Sequence, residues 1–265
     1  MSYYKQLLRG DKIDVLIGLR KEPKTFTVVN KRLSETDFND RPIPTEIIRV
    51  IDHSNCGNEL EFEIGNPDIE IVKRTRRPSV IIDGEQVFTD VELLSEFGWI
   101  ESLYGTSQNK NQMLSGMPEL AKKLAWAGNG HSKFLESIYL WFQVVAPRYL
   151  WQEMDTYRLS TKQSQSTMFK TSFKLGIDQN DFEHFVDDEY VAQLNAWALE
   201  RKKLVSLKQN LSEGYLQQRV WCMSYKTLQN IVEQRKNHTL PHWHIFCDRA
   251  IELCKRPEYL IKPTT

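Results

Sequence analysis

Three clusters of polar side chains in this 265-residue chain have the types and spacing to hold an anionic or heterocyclic ligand. The densest is the run Tyr157-Arg158-Leu159-Ser160-Thr161-Lys162-Gln163-Ser164-Gln165-Ser166, which follows an apolar stretch ending Ala146-Pro147-Arg148. Hydroxyls and carboxamides are short donors and acceptors that can hold a phosphate or the edge of a pyrimidine without a large charge. The same run also reads as a solvated polar loop closed by its serines. The second cluster is Lys226, Asn230 and Arg235, inside a segment with helical periodicity. Lys226 and Arg235 lie about two and a half turns apart and roughly half a revolution round the axis, so they cannot grip one phosphate together. An arginine at a helix end offers the planar, bidentate geometry that phosphate prefers; it is also simply a cation favoured by the helix dipole. The third cluster is His238, His242 and His244. His238 and His242 have the spacing of a ligand pair on one helix face. Pro241 interrupts a helix between them, and no cysteine or carboxylate pair stands near, so a helix-cap or ligand contact is expected over a metal.

The order of residues in two stretches resembles the flavin-dependent thymidylate synthases. Their signature reads His-x-[Thr/Ser]-x-x-Glu-His, an apolar strand or helix, then Arg-His-Arg-x-x-Ser-x-Asn-Glu-x-Ser-x-Arg-Tyr. This chain lies on it without a gap from His131 to Phe169. His131 and Glu136 fall on the flavin-contacting His and Glu, with Lys133 between them; Thr156-Tyr157-Arg158 falls on Arg-His-Arg and Ser166 on the second motif serine. Thr161 takes the first motif serine, Gln163-Ser164 replaces Asn-Glu, and Met168 stands where the family has a phosphate-gripping arginine. Members also carry an Asn-x-Arg-x-x-x-Asn-x-x-x-x-Arg helix followed by Ala-Gln-Trp-Glu-Ile. Ser224, Lys226, Asn230 and Arg235 keep that spacing, and Trp243 and Ile245 match one inserted residue later.

The resemblance, spanning roughly residues 69–260, implies an α+β fold, a helix-rich body with a small antiparallel sheet over 67–265; residues 1–66 have no counterpart in it and read, from the change of pattern near residue 66, as an N-terminal β-rich extension of unknown role. It implies methylation of dUMP at C5 to give dTMP, with a methylene from methylenetetrahydrofolate and a hydride from reduced FAD that NADPH regenerates, and no cysteine nucleophile. His131, Lys133, Glu136, Arg158, Lys226, Asn230 and His242 are then expected to line the flavin. Glu153, Ser166, Arg219 and Arg235 are expected to hold the pyrimidine deoxynucleotide, with Arg158 and Ser166 catalytic and Arg158 stabilising negative charge on the activated ring. The family is typically homotetrameric with sites shared between subunits. Thr156, Tyr157 and Met168 leave two alternatives open: a flavin-assisted C5 modification of another pyrimidine nucleotide, or a non-catalytic descendant acting as a binding or scaffold protein.

The elements that must position these groups are read from periodicity. Residues 1–66 mix β-like runs (Asp14–Leu19, Thr25–Val29, Glu59–Ile64) with one predicted helix, Pro44–Asp52. Ile69–Arg74 predicts a strand, and Val80–Ile82 with Gln86–Phe88 predicts a hairpin about Asp83-Gly84. Beyond these, helical spacing predicts helices over Val91–Tyr104, Met117–Gly128, Ser132–Ala146, Asp181–Glu200, Ser212–Cys222, Tyr225–Lys236 and Pro241–Cys254. Gly128-Asn129-Gly130 follows no strand and reads as a tight turn, not a dinucleotide fingerprint.

Composition narrows the partners. Lys plus Arg and Asp plus Glu number 35 each, so no global field argues for nucleic acid or a membrane surface. The one basic run, Lys73-Arg74-Thr75-Arg76-Arg77, reads as a solvated strand end. Apolar stretches such as Ile138–Ala146 fall far short of the roughly 20 residues that span a bilayer, and the start, MSYYKQLLRG, shows no signal-peptide core. Four scattered cysteines without a CxxC pair point to reduced thiols and a cytoplasmic location, in the host cytoplasm if the gene is viral.

Overall fold

The computed structural model describes residues 12–17, 23–34, 45–52, 58–63, 69–75, 80–82, 84–111, 113–128, 130–165, 176–200 and 203–262. In chain order these form strands β1 (Lys12–Ile17), β2 (Lys24–Ser34), β3 (Thr45–Asp52), β4 (Asn58–Glu63), β5 (Ile69–Thr75), β6 (Val80–Ile82), β7 (Glu85–Val87) and β8 (Asp90–Phe97). Helices α1 (Trp99–Lys110) and α2 (Met117–Leu124), strand β9 (Tyr139–Pro147), helix α3 (Arg148–Met154) and strand β10 (Ser160–Ser164) follow. Helices α4 (Asp188–Leu199) and α5 (Leu204–Asn210), strand β11 (Leu216–Ser224), and helices α6 (Tyr225–Arg235) and α7 (Pro241–Leu253) complete the order. Two compact units emerge, Met1–Asp90 with Ser166–Leu216, and Val91–Gln165 with Gln217–Thr265. The change of pattern at residue 66 lies inside the first.

In the first unit, β1 to β5 make an antiparallel sheet in the order β4-β3-β2-β1-β5. Val15, Phe26, Val28, Ile48, Val50 and Phe62 bury one face, at the two-residue spacing a strand requires. The segment read as helix Pro44–Asp52 is strand β3. Its Thr45, Ile47, Ile48, Val50 and Ile51 are β-branched, losing χ1 freedom in a helix and packing well on a pleated surface. The β6–β7 hairpin forms where expected, with Gly84 at positive φ. A separate cluster of Ile177, Phe182, Leu194, Leu207 and Tyr215 packs α4 and α5, and the fully buried Glu183 accepts the Phe88 N–H at 2.7 Å.

The second unit is built on a four-stranded sheet in the order β10-β11-β9-β8. Leu140, Phe142, Val144 and Ala146 of β9 are wholly buried, and Gln143 and Val145 nearly so. A strand covered on both faces shows no alternation, only a continuous apolar run. The predicted helix Ser132–Ala146 fails for that reason: it is a 3-10 turn over His131–Ser137 followed by β9. The predicted helix Val91–Tyr104 divides into β8 and α1, and Ser212–Cys222 is largely strand β11. The helices read at Met117–Gly128, Asp181–Glu200, Tyr225–Lys236 and Pro241–Cys254 contain α2, α4, α6 and α7. Buried Glu96 on β8 accepts hydrogen bonds from the Tyr225 hydroxyl and the Lys255 N–H, both at 2.9 Å, and from the Trp99 indole, tying α6 and the segment after α7 to the sheet edge. No helix among the described residues is long and apolar enough to cross a membrane.

Gly98 makes the break between β8 and α1. Its φ is +93°, and a Cβ there would stand 2.5 Å from the Ser137 carbonyl oxygen. Left-handed strain and a backbone clash add, so Gly98→Ala is expected to lower the unfolding free energy by about 3 kcal/mol. Urea denaturation followed by tryptophan fluorescence checks this; an unchanged midpoint contradicts the role.

Candidate functional site

Helix α3 leaves the buried strand β9 at Pro147 and carries Glu153 near its end. Oε2 of that carboxylate accepts from Arg235 Nη1 at 3.0 Å and from the Trp243 indole at 2.8 Å, while His238 Nε2 stands 3.6 Å away. Arg235 ends α6 and Trp243 lies in the first turn of α7, so one carboxylate gathers three helices. The Arg235 guanidinium lies 4.6 Å from the centre of the Trp243 ring and 5.6 Å from that of Tyr157. Its Nε donates to the Tyr157 hydroxyl at 2.8 Å, and Tyr157 in turn donates to Gln234 Oε1 at 3.1 Å.

Above this knot is a cavity of about 320 Å³. Thr156, Tyr157, Arg158 and Leu159 form one wall, and Thr227, Asn230, Gln234 and Arg235 of α6 form the other. Thr227, Asn230 and Gln234 follow at i, i+3 and i+7, which puts them on one helix face. The walls are tied together by Thr227 Oγ1 donating to the Leu159 carbonyl at 3.1 Å. Ser224 caps α6 by accepting the Thr227 N–H, which fixes where that face begins. Because Glu153 neutralises Arg235, the one cation in the lining without an ion-pair or hydrogen-bond partner among the described residues is Arg158. The rest of the lining is amide, hydroxyl and aromatic. The cavity lies at the lower end of the roughly 300–1,000 Å³ range of small-molecule sites.

The structure brings together Arg158, Asn230 and Arg235 from the sequence reading, with Glu153 beneath them. Lys226 points elsewhere, its Nζ donating to Gln229 Oε1 at 2.7 Å, as its position half a turn from Arg235 requires. Arg219 does not line the cavity: it forks onto both Asp155 oxygens at 2.9 and 3.0 Å and lies on the Trp151 ring at 4.4 Å. Lys162 approaches the same carboxylate at 4.0 Å, and burial pushes its amine below the usual lysine range. His131, Lys133 and Glu136 are exposed on the 3-10 turn, with His131 Nδ1 3.5 Å from Lys110 Nζ. His242 is buried, its Nε2 2.8 Å from the Tyr149 hydroxyl, and His238 Nδ1 accepts the Leu240 N–H at 3.1 Å. Ser166 and Met168 lie outside the described residues. Thr227 and Gln234 were not singled out from sequence, although their spacing from Asn230 displays the shared face.

Among the described cysteines none is disposed as a nucleophile. Burial pushes the Cys247 and Cys254 thiols up to about 12 and raises Cys222, and a protonated thiol attacks poorly. Native protein treated with iodoacetamide at neutral pH should leave Cys247 and Cys254 unlabelled by peptide mass spectrometry; labelling of either before unfolding contradicts this.

Two crystal structures from Helicobacter pylori share this fold. Thymidylate synthase X with FAD and dUMP superposes with a TM-score of 0.50 at 17% identity, covering 65% of this chain and 97% of its own. Flavin-dependent thymidylate synthase ThyX complexed with FAD and dUMP gives 0.53 at 18%, covering 64% and 96%. No family model and no curated protein matches the chain. It therefore has a ThyX-like fold, with about a third of its length beyond each likeness.

Proposed function

We propose that this chain binds a flavin and a pyrimidine nucleotide and takes part in flavin-dependent modification of that nucleotide at C5, methylation of dUMP to dTMP being the first candidate reaction. The observation that carries this is the meeting of two stretches far apart in sequence, 156–159 and 227–235, on one cavity of ring-plus-sugar size within a fold shared with structures that hold FAD and dUMP. FAD is the cofactor in this reading, with NADPH and methylenetetrahydrofolate as co-substrates. Bound flavin supplies two-electron chemistry. The chain's own part is to hold and orient: Asn230, Gln234 and Thr227 address the polar edge of a ring, and Tyr157 offers an aromatic wall. Arg158 stands where a cation can stabilise negative charge. The working form in this reading is a homotetramer in the cytoplasm, with His131, Lys133 and Glu136 serving a flavin shared with another copy.

A second reading is a nucleotide- or flavin-binding protein without turnover. Glu153 favours it, because it neutralises the arginine that would meet a phosphate.

Added FAD should give the oxidised-flavin absorption band on the protein after gel filtration. Asn230→Ala should weaken that binding about fivefold, the value of one neutral hydrogen bond. Rescue of a thymidine-requiring bacterium supports dUMP methylation; flavin bound without rescue supports the other C5 chemistry or the second reading. A protein that stays colourless with excess FAD overturns the proposal.

A further inference from the structure

Resting on the reading that the cavity holds a ligand, we infer that Lys162 is a positioning residue for it: the ammonium clasps the Tyr157 carbonyl and so sets the wall from which Tyr157 and Arg158 meet that ligand. The wall is the short connection between α3 and β10, and Arg158 and Leu159 in it are exposed. Two of its carbonyls are nonetheless held. Lys162 Nζ donates to the Tyr157 carbonyl oxygen at 3.1 Å, and the Ser160 hydroxyl donates to the same oxygen at 2.7 Å. Two residues on, the Leu159 carbonyl takes the proton of the Thr227 hydroxyl on α6. Arg158 stands between the two held carbonyls, so its backbone is fixed on both sides while its side chain faces solvent.

The two clasps differ in kind. Thr227 gives a neutral hydrogen bond, whereas Lys162 gives a charge-assisted one, roughly twice as strong. A lysine on an edge strand ordinarily carries its charge out to water, and β10 is an edge strand. Lys162 instead turns inward: it pairs with Trp221 across the sheet, its amine lies 4.8 Å from the centre of that ring, and only 10% of its side chain is exposed. Its other acceptor, the Ser160 hydroxyl at 3.2 Å, belongs to the same turn. The charged groups that face it are Asp155 at the end of α3, 4.0 Å away, and Arg219 on β11, which already forks onto that carboxylate. Burial lowers the amine from the usual lysine range, with Asp155 opposing the shift and Arg219 adding to it. As pH rises through that lowered range the ammonium becomes a neutral amine and the clasp loses its charge. Ligand affinity is therefore full at neutral pH and falls on the alkaline side.

Two measurements on the full chain test this. The first needs no ligand: the rate of trypsin cleavage at the Arg158–Leu159 bond, followed by mass spectrometry. Lys162→Met should speed that cleavage about tenfold, the value of one charge-assisted hydrogen bond, and an unchanged rate overturns the clasp. The second is FAD titration from neutral pH to about pH 10, short of the usual lysine value. The flavin's own alkaline ionisation is common to every variant, so the differences between proteins are what count. Lys162→Met should bind about tenfold more weakly at neutral pH and lack the wild type's extra alkaline fall. Lys162→Arg, charged throughout that range, should keep the neutral affinity and lack the fall as well. An equal alkaline fall in all three, or faster cleavage of Lys162→Met without weaker FAD binding, overturns the positioning role and leaves the broader reading standing. Wild-type protein that binds no FAD overturns the broader reading and this role together, whatever the cleavage rate. If Lys162→Met does not fold, the alkaline limb of Lys162→Arg against wild type decides.

Discussion

The Glu153 carboxylate is the constraint on which the second unit's chemistry depends. Its oxygen holds Arg235 and the Trp243 indole at once, so the end of α6 and the start of α7 are located by one group on α3. Arg235 and Glu153 side chains are 18% and 33% exposed, a setting in which a charge-assisted hydrogen bond is worth about 1.5–3 kcal/mol. Stacking on Trp243 keeps the arginine from leaving that carboxylate for solvent. The cavity wall is fixed by the same contacts: Gln234 and Asn230 face where they do because the last turn of α6 is pinned at Arg235.

The position of Glu153 is itself inherited from the core. It stands on the helix that begins where β9 ends, and β9 is the most completely buried strand of its sheet. Leu150, Trp151 and Met154 of α3 are wholly buried beside it, leaving Glu153 and the half-turn after it to face outward. On the other side of the unit, Glu96 does a similar job with neutral donors, the Tyr225 hydroxyl and the Lys255 N–H. Helix α6 is thus fixed at its first residue by one carboxylate and at its last by another. Between the two anchors its exposed face carries the polar stripe of the cavity, while Leu228, Ile231 and Val232 are buried.

What was legible in the sequence follows from which signals are local. Helices α6 and α7 carry one-sided apolar spacing, and they are read correctly to within a residue or two. The polar groups at 156–159 and 230–235 are recognisable because each lies in a short contiguous run. Strand β9 was read as helix because a doubly buried run has no two-residue alternation to display; β3, β8 and β11 were read as helix because their apolar residues also fit a helical spacing. The pairing of Glu153 with Arg235 is separated by 82 residues along the chain, and no periodicity reports a contact of that kind. Neither could composition show that Arg219 would be engaged by Asp155 on the Trp151 ring; the arginine's type is visible in sequence, its availability is not.

That distinction bears on how a fold can change its ligand. The core that places the cavity is apolar and lies in β9, α3 and α6, whereas the charge on Arg235 is met by two side chains, Glu153 beneath the cavity and Tyr157 in its wall. A tyrosine at 157 differs from a histidine in its proton traffic: it accepts from Arg235 and passes one proton onward, committing both the arginine and Gln234. Glu153 stands outside the apolar cluster that holds β9, whereas Tyr157 packs against that cluster, so the carboxylate is the freer of the two to vary. The same architecture can then present either a free cation or a neutral hydrogen-bonding edge at one place, and which of the two it presents decides the class of molecule that fits.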